Sequence, residues 1–178
     1  MKKFKIIILF ILTFCLGGCF KSDNYEGITI YTTMYPITYI TKTLYGDYAT
    51  INSIYPNGAD IASYTVTNKK LNDFSKGDLF IYNGLIEKER DMAVDLLSLN
   101  PELKIIDSSD VLETDYSPEE LWLNPSSLLM MAQNIRIGLE EYVTSKYLID
   151  DIDEQYEKLK ITLSELDANY RITVENTT

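Results

Sequence analysis

The sequence predicts an α/β fold: a parallel sheet with helices on both faces, followed by one long helix. Three observations support this prediction. Between residues 27 and 145, β-rich segments alternate with amphipathic ones, as in βαβ units. The segment Leu79–Tyr82 is an almost continuous apolar run, which is typical of a strand buried in a parallel sheet. The segment Ile149–Tyr170 carries apolar residues at alternating spacings of three and four, which predicts a long amphipathic helix.

Four segments have the composition and the boundaries of strands. The first, Ile28–Thr33, is rich in β-branched residues and follows Gly27. Ala49–Tyr55 ends at a Pro-Asn-Gly turn, Leu79–Tyr82 ends at an Asn-Gly turn, and Lys104–Ile106 precedes a loop rich in Ser and Asp. Because the connections between these segments have helical patterns, we expect all four strands to be parallel.

Start and stop signals define the helices of the predicted α/β lobe, residues 27–145. Pro36 occupies a plausible first helical position, and Gly46 stops that helix. A short helix over Thr67–Lys76 and a longer one over Ile86–Leu99 follow. Asn124 and Pro125 then form an N-cap and a first helical position. The helix they open carries an apolar face made of Leu128, Met131, Ile135, Leu139 and Tyr142.

The predicted C-terminal helix is long relative to the domain that precedes it. Its apolar stripe consists of Ile149, Ile152, Tyr156, Leu159, Leu163, Leu166 and Tyr170. At 1.5 Å per residue it spans roughly 33 Å, whereas a domain of the preceding size has a radius of gyration of about 14 Å. We therefore expect residues 146–178 to be a connecting helix and the stub of a second lobe. The stripe also predicts self-association through Leu159, Leu163, Leu166 and Tyr170, or fraying after about Lys158.

The N-terminus predicts a lipoprotein signal. Three lysines precede the apolar run Ile6–Leu16, which is short for a membrane span. The sequence Leu-Gly-Gly-Cys that ends at Cys19 resembles a bacterial lipobox, in which the cysteine is acylated and becomes the mature N-terminus. We therefore predict a signal peptide over residues 1–18 and a tether over residues 19–26. The resemblance places the protein, anchored through Cys19, on the extracytoplasmic face of the membrane.

Composition narrows the classes of partner and chemistry. The formal net charge is −11 at pH 7, so nucleic acid is not an expected partner. After processing at Cys19, the chain would have no free thiol for a disulfide or a nucleophile, because Cys15 leaves with the signal. The sequence contains no nucleophile–base pair, glycine-rich phosphate loop or cofactor motif. We therefore do not predict an enzyme.

Several motifs, in order, resemble the solute-binding lipoproteins of zinc and manganese ABC transporters. They are Thr32–Pro36 with Gly46 and Asp47, Pro56-x-Gly58 with Tyr64 and Thr67, Asp78–Gly84, and Trp122–Pro125. The resemblance covers Ile28 to about Tyr170. In that family, two α/β lobes flank a metal cleft and are joined by one long helix, and the protein delivers metal to an ABC permease. The resemblance thus implies an N-terminal lobe, a connecting helix, a divalent metal ion as cargo and a permease as partner.

The chain departs from the family at the metal ligands. The resemblance places one histidine ligand at the position of Ala62 and another at Glu120, and the chain contains no histidine. Zinc sites draw mainly on imidazole and thiolate ligands, so no metal ligand and no bound cofactor are assigned. The oxygens of Glu120 and Asp60 would suit harder ions such as Mn²⁺, Ca²⁺ or Mg²⁺. The simpler interpretation of Glu120 is a solvated loop carboxylate.

Two function classes follow. The first is a membrane-anchored solute-binding lipoprotein of a metal ABC transporter, truncated and with degenerate ligands. The alternative is a surface adhesion or interaction lipoprotein that keeps the lobe as a scaffold without binding metal. A truncated product with no activity of its own is a third hypothesis.

Overall fold

A computed structural model describes residues 25–113 and 116–175. The four strands are β1 (Ile28–Thr32), β2 (Ala49–Ser53), β3 (Leu79–Tyr82) and β4 (Lys104–Asp107). The five α-helices of this part of the chain are α1 (Tyr35–Tyr45), α2 (Asn68–Phe74), α3 (Glu87–Leu99), α4 (Pro125–Tyr142) and α5 (Lys146–Glu175). Two short 3-10 turns lie at Gly46–Tyr48 and Leu121–Leu123.

The strands form one parallel sheet in the order β2-β1-β3-β4. Ile30 of β1 pairs with Leu79 of β3, and Ile81 of β3 pairs with Ile106 of β4. The chain builds outward from β1 to β2, then crosses to the other side of β1 to add β3 and β4. The predicted α/β fold is confirmed, and its topological switch point lies between β1 and β3.

Helices cover both faces of the sheet. On one face, Ile30, Ile81 and Ile106 share a buried cluster with apolar residues of α1, α4 and α5. On the other face, Phe80 lies in a second cluster with Met92 and other side chains of α2 and α3. Adjacent residues of β3 therefore point to opposite cores, which explains why this strand is apolar throughout.

Local chemistry explains where the helices begin and end. Pro36 lies in the first turn of α1, and the chain leaves that helix through Gly46 at φ +56°, a conformation that glycine adopts without strain. The Asn124 side chain accepts hydrogen bonds from the backbone N–H groups of Ser126 and Ser127 at 2.9 and 3.1 Å. Thr67 caps α2 by accepting from the N–H of Lys70. The signals at Pro36, Gly46 and Asn124 are those that the sequence predicts.

Several predicted element boundaries differ from the structure by one or two residues. Strand β2 ends at Ser53 rather than Tyr55, because its pairing partner β1 ends at Thr32. Tyr25, the last but one residue of the predicted tether, packs on the lobe. Its ring stacks on Tyr142 with centroids 6.5 Å apart, and its carbonyl accepts a hydrogen bond from the Tyr45 hydroxyl. The signal at residues 1–18, Cys19 and the remaining tether through residue 24 lie outside the described residues.

Helix α5 is longer and better covered than predicted. It has 30 residues, about 45 Å at the standard rise, and it packs against α1 and α4. The predicted stripe is buried through Leu159 and Leu163, which are 4% and 6% exposed, whereas Leu166 and Tyr170 are 56% and 67% exposed. The predicted self-association surface therefore loses Leu159 and Leu163, because these two side chains lie in one buried cluster with apolar residues of α1 and α4. The helix also continues past Lys158 without a break.

Candidate functional site at the carboxyl edge of the sheet

The carboxyl ends of the four parallel strands meet at one edge of the sheet. In open α/β sheets, ligands bind in the crevice beyond this edge, near the switch point of the topology. Here that point lies between the segments that follow β1 and β3. Met34 Sδ and Asn83 Nδ2 lie 4.0 Å apart across it. The loops that follow β2 and β4 contain the two positions at which the family resemblance places histidine ligands.

The loop after β2 is held in place by hydrogen bonds to its backbone. The Asp60 carboxylate accepts from the N–H of Ala62 at 3.1 Å and from the Ser63 hydroxyl at 2.7 Å. The Ser63 bond is the main reason why the pKa of Asp60 lies below its usual value. Lys88 Nζ donates to the carbonyls of Ile61 and Ala62 at 3.2 and 3.3 Å, and also to the carbonyl of Tyr64. The exposed side chain at position 62 is only a methyl group.

The loop after β4 carries Glu120 at the entrance to the 3-10 turn. Its backbone N–H donates to the Ser117 carbonyl at 2.9 Å, and its side chain is exposed. The neighbouring Glu119 carboxylate accepts from the Ser117 hydroxyl at 2.6 Å, which lowers the pKa of Glu119. Trp122 Nε1 donates to the Glu119 carbonyl at 3.0 Å. The interpretation of Glu120 as a solvated loop carboxylate agrees with this geometry.

The two loops meet at an open cavity of about 650 Å³. Ala62 and Glu119 both line it, whereas Glu120 does not. Its charged lining consists of Glu87, Lys88, Asp91, Asp95 and Glu119. Within residues 25–113 and 116–175, no three carboxylates lie close enough together to hold a metal ion. The fold therefore brings together the loops that contain the two family positions, and neither position supplies an assembled metal centre.

The segment after β3 is fixed by an acidic side chain at the end of β4. Asp107 Oδ1 accepts hydrogen bonds from the N–H of Gly84 and the N–H of Ser109, both at 2.8 Å, and from the Ser109 hydroxyl at 2.7 Å. A Cβ atom on Gly84 would lie 1.8 Å from Asp107 Oδ2. Only glycine leaves room for this contact. Asn83 Nδ2 also donates to the Pro118 carbonyl at 2.8 Å, so β3 is tied to the loop that precedes Glu120.

Sequence reasoning missed one ionisable residue at this edge. Glu89 is completely buried, and burial is the main reason why its pKa is raised to about 7. In the sequence it looks like part of the charged run from Glu87 to Arg90. A signal was nevertheless present, because Glu89 lies three and four residues before Met92 and Ala93, which are on the buried face of α3.

Comparisons with known proteins agree with the fold. The family model for the periplasmic component A of zinc-uptake complexes matches residues 30–178. The iron-binding protein YfeA of Yersinia pestis is 27% identical over 128 residues, which is 68% of this chain and 41% of YfeA.

Solved structures of similar proteins share the architecture. AdcAII of Streptococcus pneumoniae has a TM-score of 0.73 and 21% identity, with 86% of this chain and 59% of AdcAII covered. YcdH, a metal-dependent lipoprotein of Bacillus subtilis, has a TM-score of 0.71 and 19% identity, with 83% and 56% covered. The chain thus spans about half the length of these relatives.

No helix in the described ranges is long and apolar enough to cross a membrane. The parallel sheet with its switch point agrees with the long helix and with a family match that covers most of the chain. The chain belongs to the family of the periplasmic component A of zinc-uptake complexes.

Proposed function

We propose that this chain supplies the first lobe and the connecting helix of an extracytoplasmic solute-binding protein. Its partner is an ABC permease for zinc, manganese or iron. The observation that carries the proposal is the family match over residues 30–178, which agrees with a sheet whose carboxyl edge presents the two expected ligand loops. The relatives support a metal ion as cargo, since one is an iron-binding protein and another a metal-dependent lipoprotein. No catalytic residue is assigned.

We divide the chain into a signal peptide at residues 1–18, a tether at 19–26, a lobe at 27–145 and a helical segment at 146–178. The lipobox resemblance supports acylation of Cys19, which would hold the lobe at the outer face of the membrane. A tether of this length keeps the cleft close to a membrane-embedded permease. Anchoring therefore raises the local concentration of the binding protein at its partner.

The metal chemistry of the lobe is weaker than the family resemblance implies. Ala62 offers no ligand, and Glu120 offers one exposed carboxylate. The carboxylate of Asp60 is already occupied by Ser63 and the backbone of Ala62. A metal held at this edge would use oxygen ligands from this lobe, which favours Mn²⁺ over Zn²⁺. We therefore propose that the lobe alone holds no tight zinc site.

A growth experiment tests the transport proposal. The gene is deleted from the source bacterium, and growth is compared in media depleted separately of zinc, manganese and iron. We expect a growth deficit in one of these media that disappears when that metal, or an intact copy of the gene, is returned. If the deletion strain, with its permease genes intact, grows as well as the wild type in all three media, the proposal is contradicted.

The second candidate is a surface interaction lipoprotein without metal cargo. Exposed apolar side chains in the second half of α5 favour it, namely those of Ile161, Leu166, Tyr170 and Ile172, each at least 56% exposed. The absence of histidine from the chain also favours it. In the same growth experiment this candidate predicts no metal-dependent deficit. It also predicts that the purified protein associates with itself or with a surface partner through α5.

A further inference from the structure

Glu89 lies where all four strands end. It belongs to the first turn of α3 and has no solvent-exposed surface. The N–H of Asn83, directly after β3, donates to its Oε2 atom at 2.8 Å. The hydroxyls of Thr33 after β1 and of Tyr55 in the loop after β2 lower the pKa of Glu89, and the carboxylate of Asp107 at the end of β4 raises it. One side chain is thus in electrostatic contact with every segment that forms the carboxyl edge.

The polar atoms around Glu89 are incompletely satisfied. Its Oε1 atom, Thr33 Oγ1 and Tyr55 OH are all buried, and none of them completes a hydrogen bond within the part of the chain that the structure describes. A buried polar group without a partner is destabilising, because it has lost its hydrogen bonds to water. The two cations next to Glu89 in sequence are engaged elsewhere: Lys88 binds carbonyls of the loop after β2, and Arg90 donates to the Gly84 carbonyl.

The protonation state of Glu89 decides which hydrogen bonds the two unpartnered hydroxyls can form with it. An ionised carboxylate only accepts, so either hydroxyl can bond to it only as a donor. A neutral carboxyl group donates through its own O–H, so one hydroxyl must turn and accept. Such a reversal moves the donors of Thr33 and Tyr55, which lie in the segments after β1 and β2. The N–H of Asn83 is also affected, because its acceptor loses charge.

We propose that Glu89 is a proton-operated positioning residue, whose gain or loss of a proton shifts the three segments that follow β1, β2 and β3. These segments line the edge at which ligands of such folds bind, so the proton state of Glu89 sets the shape of the site. The inference goes beyond the proposed function, because it holds whichever ligand enters the site. It needs no metal and no permease to be observed.

The electrostatics place this switch near neutral pH. Desolvation raises the pKa of Glu89 most strongly, and the Asp107 carboxylate adds to the rise, whereas the N–H of Asn83 and the two hydroxyls oppose it. The result is a pKa of about 7. Burial and the nearby Glu89 also raise the pKa of Tyr55, so the phenol stays protonated and remains a donor. Since the chain has no histidine, no imidazole titrates in the same range.

Nuclear magnetic resonance of the full chain in detergent micelles, without added metal, tests the proposal. The side-chain carboxyl carbons of Glu and the backbone amides are followed from pH 5 to 9. We expect the Glu89 carbon to titrate with a midpoint near 7, and the amides of Thr33, Tyr55 and Asn83 to shift with the same midpoint. Tyr55→Phe removes a donor to the charged form, so it should raise that midpoint.

Two substitutions separate the switch from a merely structural role. Glu89→Gln keeps the shape and removes the proton, so the three amides should lose their common titration. Glu87→Gln changes an exposed carboxylate two residues away on the same helix, so that titration should remain. A wild-type Glu89 midpoint below 5, or amides that stay fixed while Glu89 titrates, would overturn the proposal. The wild-type titration alone decides this if Glu89→Gln fails to fold. Neither result depends on metal transport.

Discussion

The backbone N–H of Asn83 donates a 2.8 Å hydrogen bond to the carboxylate of Glu89, a residue with no exposed surface. This bond joins the carboxyl end of β3 to the first turn of α3. It therefore fixes one side of the switch point, where the strand order of the parallel sheet reverses. Burial there makes the carboxylate costly to ionise, and this cost has consequences for stability as well as for the shape of the site.

The first prediction concerns stability against pH. The pKa of Glu89 is raised in the folded state from 4.5 to about 7, so the folded state binds this proton more tightly than the unfolded one. The stabilisation from protonated Glu89 is full below pH 4.5 and is lost as pH rises through 7. Glu89→Gln should remove this loss and raise the free energy of unfolding at pH 8 by on the order of 3 kcal/mol. Urea unfolding at pH 5 and pH 8 measures it.

The pH window separates Glu89 from the carboxylates whose pKa values are lowered, whereas burial also raises the pKa of Glu140. Hydrogen bonds lower the pKa values of Asp60, Asp73, Glu119 and Glu154, so their stabilising effects are lost only at more acidic pH. Glu87→Gln is the matched control and should leave the wild-type slope unchanged. A slope between pH 5 and 8 that is the same in wild type and Glu89→Gln would show that another group causes it.

Much of this fold could be predicted because its local signals agree with its packing. Pro36 and Gly46 bound α1, and Asn124 caps α4, as their residue types indicate. The apolar run of β3 reflects burial on both faces of the sheet. The cover over Leu163 could not be predicted in the same way, because it depends on how far α1 and α4 extend along α5. Such reach is set by tertiary packing and leaves no local pattern.

The candidate site was predictable only in part. Family motifs indicated the two loops, and the parallel sheet brings both loops to one cavity. The role of Glu89 could not be predicted, because the sequence alone does not distinguish a buried glutamate from a solvated one within a charged run. Its partners Thr33, Tyr55 and Asn83 are 6 to 56 residues away in sequence. Only the topology of the sheet reveals that they share one place.

The second prediction uses two leucines of α5 that differ in burial. Leu163 is 6% exposed and Leu166 is 56% exposed. Leu163→Ala should lower the free energy of unfolding by about 2–5 kcal/mol, because it leaves a cavity under α5. Leu166→Ala, three residues along the same helix, should change it by no more than about 0.5 kcal/mol. Equal small effects in denaturant unfolding would show that the lobe does not cover Leu163.

The predicted self-association surface on α5 is smaller than the sequence indicates. Only Leu166 and Tyr170 of the four proposed residues remain available. If the full chain associates through this face in detergent, Leu166→Glu with Tyr170→Glu should shift it to the monomer without changing its circular dichroism. Ile161→Glu with Ile172→Glu is the control, because these exposed residues lie on the opposite side of α5. Sedimentation that responds equally to both pairs would exclude the stripe as the interface.

The third prediction concerns the close contact between Gly84 and Asp107. Gly84→Ala would place a Cβ atom 1.8 Å from Asp107 Oδ2, so the carboxylate must move and its hydrogen bond to the Gly84 N–H must break. We expect a loss of about 1–3 kcal/mol in unfolding free energy. In an Asp107→Ala background the same substitution should cost less, because the clash is gone. Additive effects in this double-mutant cycle would contradict the contact.

The fourth prediction tests the anchor, which lies outside the described residues. Cys19→Ser should prevent acylation and leave the protein unprocessed or released from the membrane. Cys15→Ser is the matched control, because this cysteine lies inside the predicted signal peptide and should not affect anchoring. Membrane fractionation with mass spectrometry of the N-terminus distinguishes them. Membrane retention of Cys19→Ser with an N-terminus identical to that of the wild type would exclude the lipobox interpretation.

The last prediction concerns metal binding at the carboxyl edge. Because the chain has no histidine, calorimetry of the full chain should detect no zinc site tighter than about 1 μM, which corresponds to roughly −8 kcal/mol. Ala62→His together with Glu120→His restores imidazoles at the two positions given by the family resemblance. Since imidazole is a preferred ligand of zinc, we expect the double variant to bind zinc at least about tenfold more tightly than the wild type.

The position of the two histidines, rather than their number, should decide the outcome. Val94→His with Ile137→His provides the control, because these exposed residues lie on α3 and α4, which cover opposite faces of the sheet. This pair cannot share one ion, so its zinc affinity should stay at the wild-type level. Equal gains for both pairs would indicate binding to single surface imidazoles, and no gain for Ala62→His with Glu120→His would separate this edge from the metal cleft of the family.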